Sequence, residues 1–200
     1  MDKILITGGV NDDDNNNNVD DDDATSSCVA FNTINRKIRS IQRMKQARMM
    51  HACTVFEGKV VAPGGGQNRD DHTVFSTVEK YDHAANTWSN MPKMVRGRKS
   101  HSIVAVKNKL FVFGGSPNTA EVFDSSSNQF STIKSSALRI GDYDVQDTVK
   151  IGRKIIIFRF LTTKLLILDL DKYKWSEESF EFTKKTKKLN YYLCVKVPKL

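Results

Sequence analysis

A polar turn-forming residue stands six positions before a bulky apolar one at four places in this 200-residue chain. Asp82 precedes Trp88, Asp124 precedes Phe130, Asp169 precedes Trp175 and, more weakly, Asn32 precedes Ile38. Successive copies lie 50, 42 and 45 residues apart. Self-similarity at such a period points to a radial array of small β-sheets before any single site is considered.

The first two copies align without a gap. A shift of 50 places Ile38 on Trp88, Met44 on Met94, Arg48 on Arg98, His51 on His101, and Gly64-Gly65 on Gly114-Gly115. Within a unit, two short apolar runs flank a tight turn: His51–Phe56 and Val60–Pro63 around Glu57-Gly58-Lys59, His101–Val106 and Leu110–Phe113 around Lys107-Asn108-Lys109. Runs of this kind predict β-hairpins. The glycine pair that closes the second run suits a backbone at positive φ or a close approach of chains. A variable polar loop follows, then a third strand (Val78–Tyr81; Glu121–Phe123), a turn, and an outer strand with the bulky residue. Four antiparallel strands per unit make one propeller blade.

The glycine pair after a strand (Gly8-Gly9, Gly64-Gly65, Gly114-Gly115), Tyr81-Asp82 or Phe123-Asp124, and the aromatic six residues beyond the Asp resemble the kelch repeat of Kelch-like (BTB-kelch) adaptor proteins. The resemblance implies an all-β kelch propeller of about four four-stranded blades over residues 1–200, with repeats near 3–43, 44–93, 94–135 and 136–180. Its structural motif is Gly8, Gly9, Gly64, Gly65, Tyr81, Asp82, Trp88, Gly114, Gly115, Asp124, Phe130, Asp169 and Trp175. The fourth unit lacks the glycine pair, whose register falls at Arg159-Phe160. The chain opens on a second strand, Lys3–Gly9, and the family implies that a closing strand at 190–198, centred on Tyr191–Val197, completes the first blade. Kelch-like domains usually have six blades. Two readings therefore stand, a small four-bladed ring or a shortened product with an imperfectly closed one.

Composition bounds the partners. The net charge is +8, but residues 1–23 hold eight acids and one lysine, leaving fifteen acids against thirty bases in the remainder. Such asymmetry bears on association rather than fold. The acidic segment, part of a loop over residues 10–27, is expected to be disordered; it lacks the alternation and turn glycine of a calcium loop. Cys28, Cys53 and Cys194 have no paired spacing, which argues against a disulfide scaffold or zinc site and for a cytosolic protein. The one long apolar stretch, Ile155–Leu170, is interrupted by Arg159 and Lys164, so no bilayer span is expected.

Catalytic signatures are absent from the sequence: no nucleophile elbow, no zinc-protease motif, and no phosphate-cradling loop leading into a helix. No catalytic residue, metal or cofactor is expected, and no Tyr/His set of the kind used by kelch copper oxidases is visible. Basic residues cluster at Arg36–Arg48, Lys93–Lys99 and Lys184–Lys188. Nucleic acid fits these clusters poorly, because no aromatic single-strand motif accompanies them and the acidic loop opposes a phosphate backbone. The resemblance instead implies capture of a protein substrate or peptide, an acidic one suiting the basic body, for a cullin-based ubiquitin ligase. The cullin would be reached only through a BTB domain, which this sequence does not contain. Actin or cytoskeletal binding is the alternative. Recognition is expected in the loops after the second strands and at the inner-strand entrances: Arg48, Met49, Gln67, Asn68, Arg69, Arg98, Lys99, Ser100, Ser116 and Asn118. For Arg48 and Arg98, recurrence at one repeat position also supports a structural task.

Overall fold

The structure, a computed structural model, describes residues 3–10, 23–68, 73–115, 119–133, 145–159 and 164–179. The described residues form fifteen strands in four antiparallel sheets, each built from consecutive strands. The chain divides into two compact units, Met1–Lys99 and Ser100–Leu200.

The first unit holds two sheets. One orders β1 (Lys3–Thr7), β2 (Cys28–Asn32) and β3 (Ile38–Ser40); the other orders β4 (Thr54–Phe56), β5 (Lys59–Pro63), β6 (Val78–Asp82) and β7 (Thr87–Met91). Glu57 and Gly58 sit at φ 50° and 75°. Two consecutive positive-φ residues give the turn twist that matches paired strands, so a two-residue loop closes the β4–β5 hairpin. β4 is shorter than the apolar run His51–Phe56 suggests. Met50 lies at φ 52° and Met49 bridges Gly66, so the chain reaches extended pairing only at Thr54. The core of this unit joins both sheets: Cys28, Ala30, Ile41 and Met44 pack with Ala62, Tyr81 and Trp88.

The second unit holds β8 (His101–Val106), β9 (Lys109–Gly114), β10 (Ala120–Asp124) and β11 (Gln129–Ile133), then β12 (Val145–Ile151), β13 (Lys154–Arg159), β14 (Lys164–Asp169) and β15 (Lys174–Ser179). β9 is buried along almost its whole length, as expected of a strand covered on both faces. Its Phe111 and Phe113 pack with Ile155, Ile157, Leu166 and Leu168. The Trp175 ring meets Phe113 edge-on, with centroids 6.0 Å apart. A buried hydroxyl pair, Ser102 with Thr148 at 2.7 Å, links the two inner strands.

The six-residue spacing has one structural meaning in all four sheets. The residue before each Asp or Asn pairs across the turn with the bulky residue: Phe31 with Ile38, Tyr81 with Trp88, Phe123 with Phe130, Leu168 with Trp175. Within each turn the side-chain oxygen of Asn32, Asp82, Asp124 or Asp169 accepts backbone N–H groups two or three residues ahead. The fourth residue after it, Arg36, Asn86, Asn128 or Tyr173, is left-handed. An Asx turn followed by one positive-φ residue reverses the chain in four residues and brings the flanking pair face to face. Even the weak first copy obeys this geometry.

The expected closing strand at 190–198 lies outside the described residues. So does most of the acidic loop. Its ends are ordered: Val10 bridges Ala24, and Thr25 N–H donates to the Gly9 carbonyl at 2.9 Å.

Candidate interaction surface

The glycine pairs of the first two sheets tie each to the segment that opens the next repeat. Gly8 N–H donates to Ser27 O and Gly9 N–H to Arg48 O; Thr25 N–H returns to Gly9 O and Arg48 N–H to Thr25 O. The next junction repeats this set. Gly64 N–H donates to Thr77 O, Gly65 N–H to Arg98 O, Phe75 N–H to Gly65 O and Arg98 N–H to Phe75 O, all within 2.7–3.0 Å. Gly65 stands at φ 90°, and a Cβ there would lie 2.6 Å from the Met49 carbonyl oxygen. Both conditions call for glycine. The glycine pair is thus a backbone junction between repeats.

Arg48 fills this junction from within. Its Nη1 donates to Gly64 O at 2.5 Å and to Thr77 O at 3.3 Å, and its Nη2 forms a 2.7 Å ion pair with Glu79. The guanidinium also lies over the Phe75 ring, 5.9 Å from its centroid. Glu79 accepts the backbone N–H groups of Lys45 and Gln46 at 2.7 and 3.1 Å. A fully buried charge persists where its partner and hydrogen bonds replace water. Arg48 and Arg98 are 0% exposed, and Met49 and Lys99 are 1% exposed. These four residues, expected at a ligand-facing mouth, are interior instead. For Arg48, the buried network is the structural task that recurrence at one repeat position suggested. Sequence reasoning missed Glu79, although Glu121 repeats it three residues before the next Asp.

His51 lies beside this network and bonds Thr7 Oγ1 through Nε2 at 2.9 Å. Burial, together with the neighbouring Arg48 charge, pushes its pKa down to about 4, so the ring is neutral at pH 7. In every sheet a lysine, Lys3, Lys59, Lys109 or Lys154, begins the strand that lies opposite the turn residue. Lys59 and Lys109 pair with Asp82 and Asp124 and hold those carboxyls below the usual range. The turn N–H groups of Lys172 and Asp171 do the same for Asp169.

In the loop after β5, Gln67 faces solvent. The base of the loop is fixed because Gly66 bridges both Met49 and Val74, and the Gln67 carbonyl accepts the Ala24 N–H at 2.8 Å. From this base the Gln67 side chain is exposed, and Asn68 accepts the Thr73 hydroxyl at 2.6 Å. Ser100 is half-buried and left-handed. Arg69, Ser116 and Asn118 lie outside the described residues. Among the described residues of that set, only Gln67 and Asn68 stand together on the loop after β5.

The model of the Kelch motif family matches residues 47–95 and 97–136. The middle of the chain thus carries two kelch motifs and is similar to Kelch-like proteins. The chain is 32% identical over 92 residues to Kelch-like protein 41b of Danio rerio, covering 46% of this chain and 15% of that protein. Kelch-like protein 7 of Rattus norvegicus is 45% identical over 42 residues, 21% of this chain and 7% of the relative. The kelch chain therefore matches only a small part of these relatives' length. The solved structure of YjhT superposes with a TM-score of 0.67 at 16% identity, covering 89% of this chain and 62% of that one. That likeness concerns fold alone. The fold is a kelch-type β-propeller with four blades, the first described through three strands. Its repeats belong to a protein-interaction class. Among the described residues, no helix is long and apolar enough to cross a membrane.

Proposed function

We propose that this propeller recognises a protein substrate for a cullin-RING ubiquitin ligase in the cytosol, without catalysis of its own. A BTB domain supplies the cullin contact in adaptors of this kind. The observation that carries the reading is the loop after β5, where Gln67 and Asn68 leave a base fixed by backbone bridges. Loops held on a rigid scaffold bind without a large ordering cost. The similarity to Kelch-like proteins supports the ligase setting, and the basic body supports an acidic substrate segment. Gln67, Asn68 and Arg69 form the proposed contact, with Ser116 and Asn118 on the corresponding loop of the next repeat.

The test is capture of partners by immobilised wild-type chain and by Gln67→Ala/Arg69→Ala. Loss of specific partners, together with a fall in their ubiquitination when the chain competes in cells, supports the reading. Identical captured sets remove the loop from it. Actin binding is the second reading, favoured by the exposed cations Arg36, Lys37, Arg39 and Arg43 around β3. Saturable, salt-tolerant co-sedimentation with filaments would select it.

A further inference from the structure

In the second unit, the β8–β9 and β12–β13 turns and the Asp171–Tyr173 turn surround a cleft of about 490 Å³. It lies at the hairpin-turn end of its sheets, whereas β9 finishes at Gly114 at the other end. Its volume is in the range of sites that hold a small ligand or one or two side chains. Buried Phe111 and Val106, with half-buried Leu170, supply an apolar lining.

The rim is cationic. Lys107, Lys109, Lys150 and Arg153 line the cleft against a single acid, Asp171. Two of these cations are already used. Lys109 pairs with Asp124 and Arg153 with Asp171. Among the described residues, Lys107 and Lys150 have no ion pair. Tyr173 completes the rim, 60% exposed at φ 47°. Equivalent turn positions hold Arg36, Asn86 and Asn128; asparagine tolerates the left-handed region far better than a bulky aromatic residue does. A costly aromatic conformation beside a cleft argues for use of the ring there.

We infer that this cleft is a second recognition site, binding an acidic peptide segment whose apolar side chain enters the cleft. Flanking carboxylates meet Lys107 and Lys150, while the side chain packs on Phe111 and against Tyr173. A nucleic-acid backbone fits less well, because it needs an extended cationic track, whereas Asp171 interrupts this one and Asp124 neutralises Lys109. The site is separate from the loop after β5 and does not depend on it.

Fluorescence anisotropy with a labelled Glu-Asp-Leu-Phe-Glu-Asp peptide tests the assignment on the full chain. Lys107→Glu/Lys150→Glu is expected to weaken saturable binding at least tenfold without moving the thermal midpoint. Tyr173→Asn keeps the turn chemistry of its sister repeats and should weaken binding several-fold. A Glu-Asp-Ser-Gly-Glu-Asp peptide of equal charge should bind several-fold more weakly than the parent, and Gln67→Ala should change nothing. The assignment is overturned by absence of saturable binding, by equal affinity of wild type and the charge-reversed variant, or by an oligonucleotide that binds more tightly than the peptide.

Discussion

Replacing Trp88 with alanine tests whether the six-residue motif holds the sheets together. Trp88 is 4% exposed, its ring centroid lies 5.2 Å from that of Tyr81, and its Nε1–H donates to the Gln42 carbonyl at 2.9 Å. The ring therefore packs on its own sheet and bonds to the segment following the preceding one. A buried tryptophan removes roughly 150–250 Å² from water, which at about 25 cal/mol per Å² gives roughly 4–6 kcal/mol. Compaction of the denatured chain lowers that figure, while the lost hydrogen bond adds about 1 kcal/mol. The expected loss is about 4 kcal/mol, a large share of the roughly 5–15 kcal/mol that stabilises an ordinary domain. Ile38 supplies an internal control, since it holds the same motif position but is 66% exposed. Its truncation should cost about 0.5 kcal/mol or less. Urea unfolding followed by far-ultraviolet circular dichroism measures both variants. Equal losses at Trp88 and Ile38 would refute the packing explanation, because motif position alone would then decide the cost.

The remaining predictions concern the repeat junction. Glu79→Gln leaves the Arg48 guanidinium buried without its anion and should destabilise by roughly 3–5 kcal/mol in the same urea assay. Gly65→Ala puts a Cβ against the Met49 carbonyl at φ 90° and should cost more than about 2 kcal/mol. The His51 pKa lies near 4 in the folded chain, below its ordinary value of 6.5. The unfolded chain therefore binds the proton first on acidification. The His51 contribution is complete above pH 6.5, falls as the pH drops towards 4, and is constant below that. The shift corresponds to roughly 3 kcal/mol at most. His51→Gln should flatten unfolding midpoints across pH 4–6.5, and an unchanged profile would remove His51 as the cause.

How much of this was legible in the sequence depends on how local each interaction is. The Asp-to-Trp spacing was readable because turn, cross-strand pair and left-handed residue all lie within eight positions, and turn chemistry is set by neighbours in the chain. The glycine pairs were readable as positions needing special backbone geometry, but not as a junction, since their partners Arg48 and Arg98 lie about forty and about thirty residues onward. Arg48, Arg98 and Lys99 misled because a charged side chain ordinarily signals surface. The buried partner that accommodates Arg48 is Glu79, whose recurrence as Glu121 was the available clue. The lysines opposite the turn residues also recur, yet single lysines on strand ends carry no pattern until strand register is known. In the fourth repeat Leu166 replaces the glutamate. That substitution, with the missing glycine pair, places the repeat further from the family pattern than the second and third.

The central claim is a division of labour, with motif residues holding the kelch blades and the loop after β5 recognising the partner. Replacing residues 67–72 with a Gly-Ser linker of equal length, then measuring affinity for a captured partner alongside the thermal midpoint, tests it most directly. Affinity should fall at least tenfold while the midpoint stays within about 2 °C, because the backbone bridges at Gly66 remain. Unchanged affinity after the replacement would contradict the account.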